Sequence, residues 1–82
     1  MNKEYITLEK KGELENELKD LVTVKRKEIA DALEYAKSLG DLSENAEYHQ
    51  AREDQARLED RIAEIEYILK NAEVAERHHA GV

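Results

Sequence analysis

Two acidic residues, Asp41 and Glu44, lie at the one clear turn of this 82-residue sequence. Residues three positions apart can point the same way around the start of a helix, and carboxylate oxygens are ligands that Mg²⁺ prefers in proteins. This ion usually takes only one or two protein carboxylates and keeps several waters. The pair therefore predicts a conditional magnesium site with an accessory role, which a partner's ligands and phosphate would have to complete.

The same spacing also has a structural explanation. Asp41 and Glu44 match a capping box, in which Asp41 would accept from the amide of Glu44 and Glu44 would reach back to the amide of Asp41. Ser43 is an alternative cap. Spacing alone favours capping over metal binding. No self-sufficient catalytic set accompanies the acids, so we expect the chain not to be an enzyme by itself.

Two long helical patterns flank the turn at 40–43 and must position these acids. We predict helix one at about 7–39, with Thr7 as its N-cap, and helix two at about 44–73. Apolar residues recur in both at alternating spacings of four and three, which is typical of a coiled coil. The stripe of helix one is Leu18, Val22, Lys25, Ile29, Ala32, Ala36 and Leu39, and Leu14 and Leu21 broaden it near the base. The stripe of helix two is Glu44, Tyr48, Ala51, Gln55, Leu58, Ile62, Ile65, Leu69 and Ala72.

The short turn requires the two helices to run in opposite directions. Gly40 suits the left-handed conformation that ends many helices. Folding there pairs residues whose numbers sum to about 83, so that Val22 faces Ile62 and Leu18 faces Ile65. The predicted fold class is all-α, an antiparallel two-helix coiled-coil hairpin over residues 1–75, roughly 45 Å long and thin in its alanine-rich upper half.

The composition limits the possible functions. Forty per cent of the residues are charged, the formal net charge is −7, and Cys, Pro, Phe and Trp are absent. Such a chain can fill a narrow seam between helices but not a wide core, and it has no thiolate metal site or disulfide framework. No apolar run approaches the roughly 20 residues of a membrane span, so we expect a cytoplasmic protein without membrane contact. The negative charge disfavours a general nucleic-acid-binding arm.

Residues 40–48, Gly-Asp-Leu-Ser-Glu-Asn-Ala-Glu-Tyr, resemble the tip signature of bacterial Gre transcript cleavage factors. The flanks match at 26–29 before the turn and at 51–55 and 61–62 after it, and the similarity extends over roughly residues 5–75. Ala-Glu-Tyr-His at 46–49, followed by Ala-Arg-Glu at 51–53, is more similar to the GreA branch than to the GreB branch.

The resemblance implies that the hairpin enters the secondary channel of a backtracked bacterial RNA polymerase on its DNA. Asp41 and Glu44 would assist catalysis in trans by helping to hold a Mg²⁺ shared with the polymerase active site, with Ser43 as tip support. The polymerase itself would hydrolyse the RNA behind its backtracked 3′ end, and paired metal ions are suited to that chemistry. No cofactor is expected to bind stably to the chain alone.

The resemblance also implies basic residues that contact the displaced RNA. The candidates are Lys37, Arg52 and His49, with Arg57 less favoured; the alternative is ordinary salt pairing along the helix. Family members continue into a second domain, so residues 76–82 are expected to be a linker to a missing C-terminal domain.

A rival hypothesis is a non-catalytic coiled-coil interaction module whose tip acids are only helix caps. The polar residues Lys25 and Gln55 on the two stripes argue against a tight self-associating interface, so we expect a monomer.

Overall fold

The computed structural model describes residues 4–75, and two long helical stretches account for most of them. The first stretch is interrupted by one π-helical turn, and a separate 3₁₀ turn lies between the two stretches. The elements in chain order are β1 (Tyr5–Ile6), α1 (Leu8–Asp20), the π turn (Leu21–Lys25), α2 (Arg26–Ser38), the 3₁₀ turn (Leu42–Glu44), α3 (Ala46–Asn71) and β2 (Glu73–Val74). The predicted helical class is confirmed in its main part.

Helix α1 begins where the sequence predicts. The side chain of Thr7 accepts a hydrogen bond of 2.9 Å from the backbone amide of Lys10, which satisfies one of the free amides of the first turn. Helix two, α3, begins at Ala46 rather than 44 and ends at Asn71 rather than 73.

Two short strands at the base were not predicted. β1 pairs in parallel with β2, with Tyr5 opposite Glu73 and Ile6 opposite Val74. The amide of Glu73 donates to the carbonyl of Glu4, and the amide of Ala75 donates to the carbonyl of Ile6, both at 2.9 Å. These bonds tie together the two ends of the described chain at the base of the arm.

The stripe predicted for α3 is confirmed along the helix. Ala51, Leu58, Ile62 and Ile65 are buried, while Tyr48, Gln55, Leu69 and Ala72 are half-buried. Glu44, the first residue of that predicted stripe, is exposed and lies outside α3.

The stripe predicted for helix one is wrong at several positions. Leu18 and Ile29 are half-buried and Ala36 is buried, but four other members are exposed: Val22, Lys25, Ala32 and Leu39. Val22 therefore does not face Ile62 as part of a buried seam. The apolar side chains of helix one that are buried or half-buried at heptad-like intervals are Leu14, Leu18, Leu21, Ile29, Leu33 and Ala36.

The π turn explains the difference. Leu21 and Ile29 are eight residues apart, one more than a heptad allows. The backbone amide of Arg26 donates to the carbonyl of Leu21, five residues earlier, so that one wide turn absorbs the extra residue. Leu21 and Leu33 consequently replace Val22 and Ala32 on the packed face.

Two forked ion pairs connect the first helical stretch to α3. Arg61 donates to Glu17 through Nε and Nη2, both at 2.8 Å. Arg26 donates to Glu59 through Nε at 2.9 Å and Nη2 at 2.8 Å. The hydrogen bonds from the guanidinium groups hold the pKa of each carboxyl below its ordinary value. From Glu17 to Arg26 the residue numbers rise along the first stretch, while those of their partners on α3 fall from 61 to 59.

The molecule is a slender rod of 65 × 27 × 16 Å. It is longer than the roughly 45 Å predicted from helix length. The small side chains Ala32 and Ala51 border a shallow groove of about 230 Å³ in the upper half.

Among residues 4–75, no helix has both the length and the apolar character needed to cross a bilayer. The predicted linker at 76–82 lies outside the described residues.

Candidate functional site

The tip turn contains two consecutive residues in the left-handed conformation. Gly40 has a φ of 82° and Asp41 a φ of 50°. The amide of Gly40 donates to the carbonyl of Lys37 at 3.1 Å, which closes the end of α2. Residues Leu42–Glu44 then form the 3₁₀ turn, in which the amide of Glu44 donates to the carbonyl of Asp41 at 3.1 Å. Gly40 thus has the conformation predicted for it.

The capping box proposed from spacing is wrong. Asp41 makes no side-chain capping hydrogen bond. The N-cap of α3 is Asn45, whose Oδ1 accepts a 3.0 Å bond from the amide of Tyr48. Helix α3 does not begin at 44, because Leu42–Glu44 form a separate 3₁₀ turn after the left-handed residue Asp41. Ser43 is likewise not the cap of α3.

Asn45 was not recognised as a site residue from the sequence. Its Nδ2 donates to the carbonyl of Ala36 at 2.7 Å and to the carbonyl of Gly40 at 3.2 Å. One side chain therefore bonds to the end of α2, to the turn and to the start of α3. The available signal was that Asn is among the preferred N-cap residues, and it stands directly before the first helical residue.

The side chains of the two candidate acids make no stabilising polar contact within residues 4–75. Asp41 and Glu44 are both exposed. Within residues 4–75, neither carboxylate takes part in a hydrogen bond or an ion pair. Their oxygens suit a hard cation such as Mg²⁺, but no cluster of three or more His, Cys, Asp or Glu in the described part of the chain could hold a metal ion. Asp41 and Glu44 are two carboxylates, the number of protein carboxylates that Mg²⁺ usually takes.

His49 lies against the turn. Its Nε2 is 3.1 Å from the carbonyl oxygen of Ser43 and donates to it when that nitrogen carries the hydrogen. Its ring also meets the ring of Tyr48 edge to face, with centroids 5.7 Å apart. These contacts connect His49 to the tip support predicted at Ser43.

Two of the predicted basic contacts remain without an acidic partner. Lys37 and Arg52 are exposed, and neither pairs with a carboxylate within residues 4–75. Arg52 donates from Nη1 to the hydroxyl of Tyr48 at 3.3 Å. Arg57 differs, since it pairs with Asp54 at 3.0 Å and with Glu53 at 3.7 Å. Ordinary salt pairing therefore describes Arg57 but not Arg52.

Comparison with known proteins gives the same family from a family model and from individual relatives. The family described as "Transcription elongation factor, N-terminal" (GreA_GreB_N) matches residues 4–74. The chain is 51% identical to transcription elongation factor GreA of Listeria welshimeri, over 94% of the chain and 50% of that protein. It is 51% identical to GreA of Halalkalibacterium halodurans, over 90% of the chain and 47% of that protein. It therefore spans about half the length of these curated relatives.

Proposed function

The chain belongs to the GreA/GreB family of transcription elongation factors, of which it is an N-terminal domain, and from this membership we propose that it stimulates transcript cleavage by bacterial RNA polymerase. In this proposal α1–α2 and α3 form an antiparallel coiled-coil hairpin that enters the secondary channel of a backtracked polymerase in the cytoplasm. The polymerase supplies the active site, and the chain alone is not an enzyme.

Asp41 and Glu44 are the residues proposed to act there. Their carboxylates would help to hold a Mg²⁺ that is shared with the polymerase. A second metal ion at a phosphodiester supplies activation of water and charge stabilisation of the leaving oxygen. The role of the hairpin is to carry the two acids to the reacting RNA, and Ser43 and His49 support the turn that bears them.

The proposal rests on the backbone conformation of Asp41 and on its uncommitted carboxylate. Asp is one of the few residues other than glycine that tolerate the left-handed region, yet its carboxylate caps no helix. Gly or Asn would tolerate the same backbone. The turn therefore does not require a carboxylate at this position, whereas metal binding does. This removes the main support for the rival module whose acids are only caps.

Lys37 and Arg52 are the proposed contacts to the displaced RNA, since each is an exposed cation near the tip without an acidic partner in the described chain. His49 is a weaker candidate because its Nε2 already faces the carbonyl of Ser43. The net charge of −7 requires these contacts to be local.

The test is cleavage of RNA in a stalled, backtracked elongation complex with and without the chain. We expect Asp41→Asn to keep the helix content and melting temperature, because Asn tolerates the left-handed conformation. Cleavage should fall about tenfold or more, since an amide is a poorer ligand for Mg²⁺ than a carboxylate. Asp20→Asn makes the same charge change on the shaft, where the side chain caps nothing, and should cleave like the wild type.

Undiminished cleavage by Asp41→Asn would contradict a role of this carboxylate in transcript cleavage. The interaction module makes a different prediction, a stable oligomer that depends on seam residues. Sedimentation of the chain should show a monomer if the hairpin acts through the polymerase.

A further inference from the structure

We infer that Asn45 is the positioning residue of the tip, because its carboxamide holds the turn from which Asp41 and Glu44 project. The inference rests on the proposed function for its catalytic part. Asn45 itself is not proposed to touch metal, RNA or the reacting atoms. It acts through the backbone on either side of the two acids.

The carboxamide group uses its donor and its acceptor for different helices. Nδ2 donates to the carbonyl of Ala36, in the last turn of α2, at 2.7 Å. Oδ1 accepts from the amide of Tyr48, in the first turn of α3, at 3.0 Å. Helix ends leave carbonyls and amides without partners inside the helix. The carbonyl of Ala36 also accepts from the amide of Leu39 at 3.1 Å, so Asn45 supplies a second bond there. A single half-buried side chain thus bonds to both helix ends at once.

Asn is the residue type that can make both bonds here. Asp and Ser cap helices about as well as Asn. Asp has no donor to offer to the carbonyl of Ala36 when ionised, and Ser has a single short hydroxyl. The choice of Asn45 is therefore explained by the bond to α2 and not by the cap alone.

Little else packs the turn against the helices. Leu39 and Leu42, its two large apolar residues, are 49% and 40% exposed. The backbone bonds within the turn are 3.1 to 3.3 Å long. Because the tip lacks a buried core, the direction of the two acids depends on hydrogen bonds, of which the 2.7 Å bond from Asn45 is among the shortest.

The test compares Asn45→Asp and Asn45→Ser with the wild-type chain. Both variants keep an N-cap oxygen, and neither reproduces the carboxamide bond to Ala36. We expect unchanged helix content but faster hydrogen exchange at the amides of Gly40 and Glu44. The maximal cleavage rate should fall about tenfold or more, as expected when catalytic groups are misplaced by an ångström or so.

A purely structural role would not give the same kinetic pattern. The concentration of chain for half-maximal cleavage should change less than about threefold, since the shaft is intact, while the Mg²⁺ concentration needed for cleavage should rise. Ser38→Ala is the matched control: it removes one side-chain bond, from Ser38 Oγ to the carbonyl of Tyr35 at 2.6 Å, at the same helix end. It should cleave like the wild type.

Two results would overturn the inference: unchanged amide exchange in both Asn45 variants, or wild-type cleavage rates despite faster exchange. If the wild-type chain itself fails to stimulate cleavage, the proposed function and the catalytic part of this inference both fall. The exchange rates, measured without polymerase, still decide whether Asn45 holds the turn.

Discussion

At the base of the arm Leu14, Ile62 and Ile65 keep no more than 2% of their surface exposed, whereas at the tip Leu39 and Leu42 keep 49% and 40%. The base is closed by large aliphatic side chains. In the upper half the buried side chains are alanines, Ala36 and Ala51, and the turn beyond them is held by hydrogen bonds. Since burial of apolar surface is the main stabilising term, the stability of the arm is concentrated far from its candidate acids.

The charges differ in the same way. In the lower and middle parts of the rod Glu17 and Glu59 are each held by an arginine across the two helices. At the tip Asp41 and Glu44 have no such partner within residues 4–75. Acids that stabilise the rod are thus separate from acids available to a partner. A small helical arm can therefore present free carboxylates, because its folding energy comes from residues elsewhere in the rod.

The largest expected effect tests where that energy lies. Ile65→Ala removes a fully buried side chain, and such a change typically costs about 2–5 kcal/mol of unfolding free energy. Leu42→Ala at the tip should cost less than about 0.5 kcal/mol, because this side chain is already largely solvated. Urea unfolding followed by circular dichroism measures both. Equal losses would break the proposed division between base and tip.

A second experiment concerns the π turn, which lies between α1 and α2 in the middle of the first helical stretch. Deleting Thr23 moves all later residues of helix one back by one position, so Ile29 would follow Leu21 by seven residues instead of eight. An unbroken heptad then needs no wide turn. We expect this variant to form a continuous α-helix and to unfold at the same or a higher urea concentration than the wild type.

Deleting Ala30 is the matched control, since it also removes one residue but from regular helix. It turns Leu33 and Ala36 by about 100° away from the packed face. The unfolding free energy should fall by about 1–3 kcal/mol through lost burial. If both deletions destabilise equally, the π turn is not a one-residue insertion in an otherwise regular seam.

The outcome for the π turn shows what a periodic pattern can and cannot predict. The helical class, the turn at Gly40 and the stripe of α3 follow from spacing and from residue types, and these predictions hold. In helix one the strict heptad includes Val22 and Ala32. It gives Leu21 only a broadening role and omits Leu33, although these two are the larger apolar residues beside Val22 and Ala32. The pattern alone does not say that a wide turn will absorb one residue.

The remaining misses concern interactions between distant parts of the chain. The pairing of β1 with β2 joins residues nearly seventy positions apart, and two-residue strands carry no periodic signal. At the tip, Asp41, Ser43 and Asn45 are all acceptable N-caps by type. Only the left-handed conformation of Asp41 and the 3₁₀ turn after it select Asn45. For the candidate acids, spacing alone allows a magnesium site but favours capping, and the resemblance is what favours the metal-binding role.

The smallest expected effect tests the electrostatic half of the comparison. Glu17 and Glu59 have pKa values lowered from 4.5 by hydrogen bonds from Arg61 and Arg26. A lowered folded-state pKa contributes stability above the unfolded pKa and loses it as pH falls through the folded value. The melting temperature should therefore drop between about pH 6 and pH 3 more steeply in the wild type than in a Glu17→Gln, Glu59→Gln double variant.

The comparison of slopes is needed because lowering the pH also relieves the repulsion of a chain with a net charge of −7. That relief is nearly common to both proteins, so the difference between them isolates the two pairs. The difference should amount to only a few degrees, since both carboxylates are more than a third exposed. It should shrink further in 1 M salt, where the screening length is about 3 Å. Parallel slopes would mean that the two forked pairs orient the helices without stabilising them, and that apolar burial alone distinguishes base from tip.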